Sequence, residues 1–219
     1  MEPEFWLQRW QEQAIGFHQE EINRHLKEYW QRLNIAEAAK ILVPLCGKSK
    51  DMLWLRQSGY EVMGVELSEI AINDFFNENG LTPNKVSHQD FVIWQSDGIS
   101  IYQGDFFKLS ADDLAGVQGV FDRAALIALP ELMRKDYVTK LQQCLPATTP
   151  ILLITLQYPQ SEMAGPPFSV HDREVHALYH EHYGIECCCK VDSLAENPRF
   201  RERGLSEMLE LVYLLRPKR

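Results

Sequence analysis

The stretch ILVPLCGKSKDMLWLRQSGYEVMGVE, residues 41–66, reads as strand, turn, helix and strand. Ile41, Leu42 and Val43 form an unbroken apolar run, the pattern of a strand covered on both faces in a parallel sheet. Pro44 to Gly47 ends it. Ser49 is placed to cap the helix that follows, where Met52, Leu53 and Leu55 with Trp54 supply an apolar face and Ser58-Gly59 is the stop. A second strand runs from Glu61 to Val65, and Glu66 comes directly after it. In a βαβ nucleotide fold, an acid about 20 positions past the glycine turn can accept hydrogen bonds from ribose hydroxyls. Glu66 meets that spacing from Gly47, although spacing alone leaves open an ordinary βαβ unit with Glu66 as a surface carboxylate. The turn holds one glycine, not G-x-G-x-x-G, so a pyrophosphate cannot lie close along the backbone. A small adenosyl ligand is favoured over a dinucleotide.

Length and composition narrow the classes. A chain of 219 residues with 45% hydrophobic residues supports one domain with a substantial core. The charge balance is 22 Lys+Arg against 31 Asp+Glu, a net −9, which repels phosphate backbones and anionic membranes and favours a small-molecule substrate with no nucleic-acid and no membrane partner. No apolar run is long enough to span a bilayer, and Met1-Glu2-Pro3-Glu4 lacks the basic start of a signal peptide, so a cytoplasmic protein is expected. The cysteine count is 5, with Cys187, Cys188 and Cys189 adjacent. That is no disulfide framework and contains no CxxC pair.

Along the chain, Phe5 to Leu33 reads as helical with a break near Gly16, and Ile22, Leu26, Tyr29 and Leu33 keep helical spacing. Trp6, Trp10 and Phe17 put three aromatics ahead of the sheet, where the segment could fold over a cofactor; aromatic faces attract a sulfonium cation, and core packing is the reading for Trp6. Ser68 caps a helix closed by Asn79-Gly80. Val86 to Gln103 carries two alternating runs around Ser96-Asp97-Gly98, a hairpin or third strand, with Gly104-Asp105-Phe106 at its end. Val117 to Phe121 is a fourth strand tipped by Asp122-Arg123, at the end where ligands of such sheets sit; an ion pair of Arg123 with Asp122 or another neighbour is the alternative to a role in the site. Leu132 to Leu145 is helical, Pro150 to Leu156 a buried fifth strand, and Gly165-Pro166-Pro167 a stiff wall. His171 to His182 is helical; His176 and His180 are read as surface histidines, since there is no HExxH and no metal is expected. Ile185 to Val191 and Met208 to Leu215 suit a closing edge hairpin, in which Cys187 to Cys189 alternate faces. The loop between them carries Arg199, Arg201 and Arg203.

PLCGKSKDMLWL at 44–55 and GYEVMGVELS at 59–68, with WLQRWQEQAIGFHQE at 6–20, FDRAAL at 121–126, GPPFSV at 165–170 and VYLL at 212–215, resemble the thiopurine S-methyltransferase family in order and spacing over nearly the whole chain. The resemblance implies a Rossmann-like, S-adenosylmethionine-dependent methyltransferase of one domain, residues 1–219. It has an N-terminal helical lid at 1–33, a core at 41–219 and a mostly parallel sheet closed by an antiparallel hairpin. It implies Trp10, Leu45, Glu66, Asp105, Phe106 and Arg123 at the cofactor, with Leu45 acting through its backbone and Asp105 and Phe106 near the adenine. Phe17, Arg123 and Arg199 fall by the substrate. The loop holding Arg199 is slightly longer than in animal relatives. The acceptors implied are small thiols such as thiopurines, methylated by in-line displacement with no dedicated catalytic base; Arg123 would stabilise a thiolate or the methionine carboxylate. Bacterial relatives add selenium or tellurium compounds as detoxification targets, linked to selenite and tellurite resistance, and a monomer is typical. Two other classes share the βαβ unit: a nicotinamide oxidoreductase, disfavoured by the missing glycines, and a non-catalytic adenosyl-binding protein.

Overall fold

The computed structural model describes residues 3–218; Met1, Glu2 and Arg219, including part of the stretch read as lacking a signal, lie outside the described residues. In chain order the elements are α1 (Pro3–Gln11), α2 (Arg24–Tyr29) running into a 3-10 turn at Trp30–Leu33, β1 (Lys40–Pro44), α3 (Asp51–Gln57), β2 (Glu61–Glu66), α4 (Glu69–Glu78), β3 (Asn84–His88), β4 (Phe91–Ser96) and β5 (Ile99–Gln103). The second half follows with a 3-10 turn at Phe106–Lys108, then α5 (Ala111–Leu114), β6 (Val117–Arg123), α6 (Ala125–Ala128), α7 (Glu131–Cys144) and β7 (Ile151–Gln157). It ends with a 3-10 turn at Gln160–Glu162, α8 (Asp172–Tyr179), β8 (Tyr183–Asp192), α9 (Pro198–Glu202) and β9 (Leu209–Pro217).

All the strands join one sheet in the order β3-β4-β5-β2-β1-β6-β7-β9-β8. The middle block β5-β2-β1-β6-β7 is parallel; β4 and β3 add antiparallel on one side, β9 and β8 on the other. The apolar runs have the expected cause. Ile41 and Val43 of β1 pack with Met52, Leu55, Phe75 and Trp30 on one face, while Leu42 packs with Tyr137, Val138 and Leu141 of α7 on the other. Both faces are covered, so successive residues must all be apolar. β1 lies between β2 and β6, and the chain leaves it in opposite directions, so a crevice opens at the carboxyl ends of the strands.

Several local readings change. The N-terminal segment is two short helices separated by turns, because Gly16 and the polar run His18 to Glu21 offer no apolar stripe between them. Ser49 does not cap α3: the helix follows Lys50, and the Ser49 hydroxyl accepts the Asp51 N–H and donates to its carboxylate. Ser68 does cap α4 through its hydroxyl, which accepts the Ala71 N–H. Residues 84–103 form three strands, with the tight turn at Asp97-Gly98. Cys187 to Cys189 do not alternate: the β8–β9 register slips between Cys187 and Cys189, so Cys188 is an extra residue, and both Cys188 and Cys189 pack toward one core face. The loop with the three arginines contains α9.

Under the β6 tip, the fully buried Asp122 accepts a hydrogen bond of 2.7 Å from the Tyr137 hydroxyl. Burial pushes its carboxyl up from 3.8 to about 6, against the pull of Tyr137 and of the Leu126 and Ala125 N–H groups. The folded protein therefore binds this proton more tightly than the unfolded chain. The group's contribution to stability is complete below its ordinary pKa and is lost as pH rises through about 6, a loss on the order of 3 kcal/mol. Asp122→Asn keeps an acceptor for Tyr137 but does not titrate. Thermal unfolding between pH 4 and 8 should show a decline in wild-type stability that the variant lacks; parallel pH profiles would exclude Asp122 as its source.

Candidate active site

The crevice is a cavity of about 750 Å³ at the tips of β5, β2, β1 and β6, roofed by the N-terminal segment and walled by residues from the β7, β8–α9 and β9 side. That volume lies within the range of small-molecule sites.

At its centre is the Glu66 carboxylate, 7% exposed. One oxygen accepts the Gly47 N–H at 2.8 Å and the other the Ser68 N–H at 2.7 Å. Burial raises its pKa while these N–H groups pull the other way. A carboxylate has about four acceptor positions, so two remain for the vicinal hydroxyls of a ribose. The turn above it is held by the Cys46 N–H donating to the Val65 carbonyl at 3.0 Å and needs two left-handed residues, Leu45 at φ 46° and Gly47 at φ 52°. A β-carbon on Gly47 would stand 3.2 Å from the indole of Trp10, so glycine serves both the backbone and the close approach of the ring. Trp10 is 2% exposed and meets Phe17 edge to face at 5.6 Å; Phe17 meets Trp6 at 5.5 Å. Asp105 lies just past β5 and spends one oxygen on the Phe107 N–H. Phe106 lines the cavity with most of its ring packed on Tyr137, centroids 4.9 Å apart.

The other half, over β6, β7 and β9, is cationic. The Arg123 guanidinium stands 3.7 Å from Asp51; burial lowers its pKa, with Asp51 and Glu210 opposing. Arg199 lies against Gly16, where a β-carbon would meet its guanidinium at 2.8 Å, and over the Phe200 ring, 4.7 Å from the centroid. Burial, then the charges of Arg203 and Arg123, hold its pKa down. Among the described residues neither Arg199 nor Arg203 has a carboxylate partner, which leaves uncompensated positive charge facing the cavity. Leu129, Met133, Pro166 and Pro167 give this end apolar walls.

The structure thus gathers Trp10, Phe17, Leu45, Glu66, Asp105, Phe106, Arg123 and Arg199 around one cavity. Trp6, read as core, is half-buried and lines it too. Asp51 was not singled out by sequence: nearly fully buried, it accepts the Asn23 N–H at 2.7 Å and the Ser49 hydroxyl at 2.8 Å and faces Arg123, so it ties the N-terminal segment to the turn and the β6 tip. An acid in the first turn of a helix is ordinary helix chemistry, so nothing in its position announces it. Nor did the sequence single out His25 and Glu210, 185 positions apart and 2.8 Å from each other. No cluster of three or more His, Cys, Asp or Glu suited to a metal exists among the described residues.

These residues fit an adenosyl sulfonium: unused acceptor positions on Glu66 for the ribose, aromatic faces from the N-terminal segment for a cation, and a neighbouring cationic end for an anionic partner. Comparison with known proteins agrees. The chain is 49% identical over 215 residues to the thiopurine S-methyltransferase of Nitrosospira multiformis, covering 98% of each, and 46% identical over 218 residues to that of a Shewanella species, covering 100% of each. Among solved structures it is similar to the Burkholderia thailandensis 1,6-didemethyltoxoflavin-N1-methyltransferase, which holds S-adenosylhomocysteine (TM-score 0.67, 14% identity, 99% of this chain and 87% of that one). It is also similar to a TehB-like S-adenosylmethionine-dependent methyltransferase of Corynebacterium glutamicum (TM-score 0.56, 15% identity, 99% and 98%). At such identities these two share its fold. The profile of thiopurine S-methyltransferase matches residues 1–218, and the chain belongs to that family of S-adenosylmethionine-dependent methyltransferases.

Proposed function

We propose that the protein transfers a methyl group to the sulfur of small heteroaromatic thiols, thiopurines among them. The observation that carries this reading is the apolar-walled, cation-rich end of the cavity beside the buried Glu66: it suits a flat ring bearing a thiolate. When bound, S-adenosylmethionine supplies a methyl group on a positively charged sulfur. Glu66 binds the ribose end while holding the Gly47 turn in shape. Asp105 and Phe106 border the adenine end, and the Leu45 backbone the turn. Trp10 and Phe17 cover the site and exclude water, so that Pro3 to Gln19 acts as a lid. Arg123 and Arg199 attract and orient the thiolate. A heteroaromatic thiol ionises readily, so orientation is the main task, and it can supply as much as ~7–11 kcal/mol in well-ordered systems. The family resemblance supports a monomer, and the net charge of −9 suits the cytoplasm.

Calorimetry with S-adenosylmethionine and S-adenosylhomocysteine, followed by addition of 6-mercaptopurine and detection of the S-methyl product, tests the reading. Binding with turnover is expected; binding without turnover would move the acceptor away from heteroaromatic thiols.

Glu66→Ala should weaken S-adenosylmethionine binding about 10- to 100-fold, since hydrogen bonds to a charged group contribute about 1.5–3 kcal/mol. Unchanged affinity would remove Glu66 from the ribose. Arg199→Met should raise the KM for an anionic thiol about tenfold, the scale of a lost charge-assisted contact, and leave cofactor affinity within twofold. Equal losses in both would place Arg199 in the framework instead.

A further inference from the structure

Four carboxylates line the cavity among the described residues: Asp51, Glu66, Asp105 and Glu210. Glu66 and Asp105 lie over β2 and beyond β5, at the adenosyl end. Asp51 is occupied by the Asn23 N–H, the Ser49 hydroxyl and Arg123. Glu210 differs in place and in partners. It sits on β9, opposite Leu156 of β7, in the half of the cavity that the proposed acceptor takes. Its Oε2 is 2.8 Å from Nε2 of His25 and 3.9 Å from Nη2 of Arg24, and its Oε1 has no hydrogen-bond partner among the described residues. The carboxylate is 14% exposed and the His25 side chain 3%. The imidazole is oriented through Nε2, by this short contact and a longer one of 3.4 Å to the Arg24 Nε–H, since its Nδ1 is buried without a partner. The charged groups that face Glu210 are His25 and Arg24 from α2 and Arg123 from β6.

We propose that Glu210 is a general base for acceptors that arrive as neutral thiols, with His25 as its positioning residue. This rests on the thiol reading above and extends its substrate range to thiols of ordinary acidity. Glu210 Oε1 takes the S–H proton, and the thiolate sulfur so formed makes its bond to the methyl carbon. The bond from that methyl to the sulfonium sulfur breaks, and its electron pair stays on the departing sulfur. Nε2–H of His25 donates to Oε2 and keeps Oε1 turned to the cavity. Arg123 stands beside the sulfur as negative charge develops on it. The proton leaves Glu210 for water when the lid opens.

The test compares wild type with Glu210→Gln on two acceptors, 4-nitrothiophenol, which is ionised in solution at pH 6, and 4-methylthiophenol, which at pH 6 is largely not. Glu210→Gln should lower kcat/KM for 4-methylthiophenol at pH 6 about sevenfold, the inverse of the fraction of that thiol already ionised, a gap that closes toward pH 9 as the thiol ionises unaided. Turnover of 4-nitrothiophenol should stay within threefold at every pH. His25→Gln, which retains a donor, should lose less than Glu210→Gln and in the same pattern. A second readout needs no turnover: in the complex with S-adenosylhomocysteine at pH 6, bound 4-methylthiophenol should show the thiolate absorption band in wild type and not in Glu210→Gln. Equal, pH-independent losses on both thiols, no loss on either, or the same band in both proteins would overturn the assignment. Wild type that binds S-adenosylmethionine yet methylates neither thiol would overturn the acceptor reading itself, and the assignment with it, a result distinct from any failure seen only on comparing the variants.

Discussion

The site depends on one buried carboxylate holding two strand tips together. Glu66 ends β2, and its two oxygens take the N–H groups of Gly47, in the turn after β1, and Ser68, at the start of α4. A charged acceptor in a nearly dry place is costly unless its lone pairs are used, and two backbone donors meet much of that need. The same bonds fix the left-handed turn at Leu45 to Gly47, a conformation that a non-glycine residue keeps only when its surroundings enforce it. On the proposed reading, the cofactor meets a cradle already in shape, and little ordering remains to oppose binding.

Charge is distributed against the overall balance. The chain carries a net −9, yet one end of its cavity concentrates Arg123, Arg199 and Arg203. Burial strengthens what Arg123 does, because water screens it less; Arg199 and Arg203 are more exposed. Asp51 offsets part of the charge at Arg123 and Glu210 another part, while the other two guanidiniums rest on the Phe200 ring. The result is a small positive region inside a chain whose overall charge is negative, the arrangement on which the proposed anionic acceptor rests.

The N-terminal segment is bound into the same arrangement. Its α2 cap, Asn23, donates its N–H to Asp51; His25 reaches Glu210; Gly16 lets Arg199 lie against the backbone; and Trp10 covers Gly47. The Glu66 side, the arginine side and the roof of the cavity therefore share side chains, so a change at one is felt at the others and mutational effects around the cavity should not be additive.

The sequence by itself determined the sheet and the cofactor. Apolar runs at 41–43 and 151–156, the glycine turn and an acid at the right distance are local patterns, and local patterns are what period and spacing encode. Glu66 and the strands of the parallel core were legible for that reason, and the family motifs carried Trp10, Phe17, Asp105, Phe106, Arg123 and Arg199 to their neighbourhood. Only the tertiary structure decided the rest. It widened the break near Gly16 to the whole span between α1 and α2 and made Trp6 a wall of the cavity instead of core. It set the bulge at Cys188 through the register of β9, and it brought Asp51 to Arg123 and His25 to Glu210. Those pairings join residues from distant parts of the chain, and a buried charge gains its partner from whichever strand or helix packs beside it. Sequence spacing cannot record such a choice, because packing makes it.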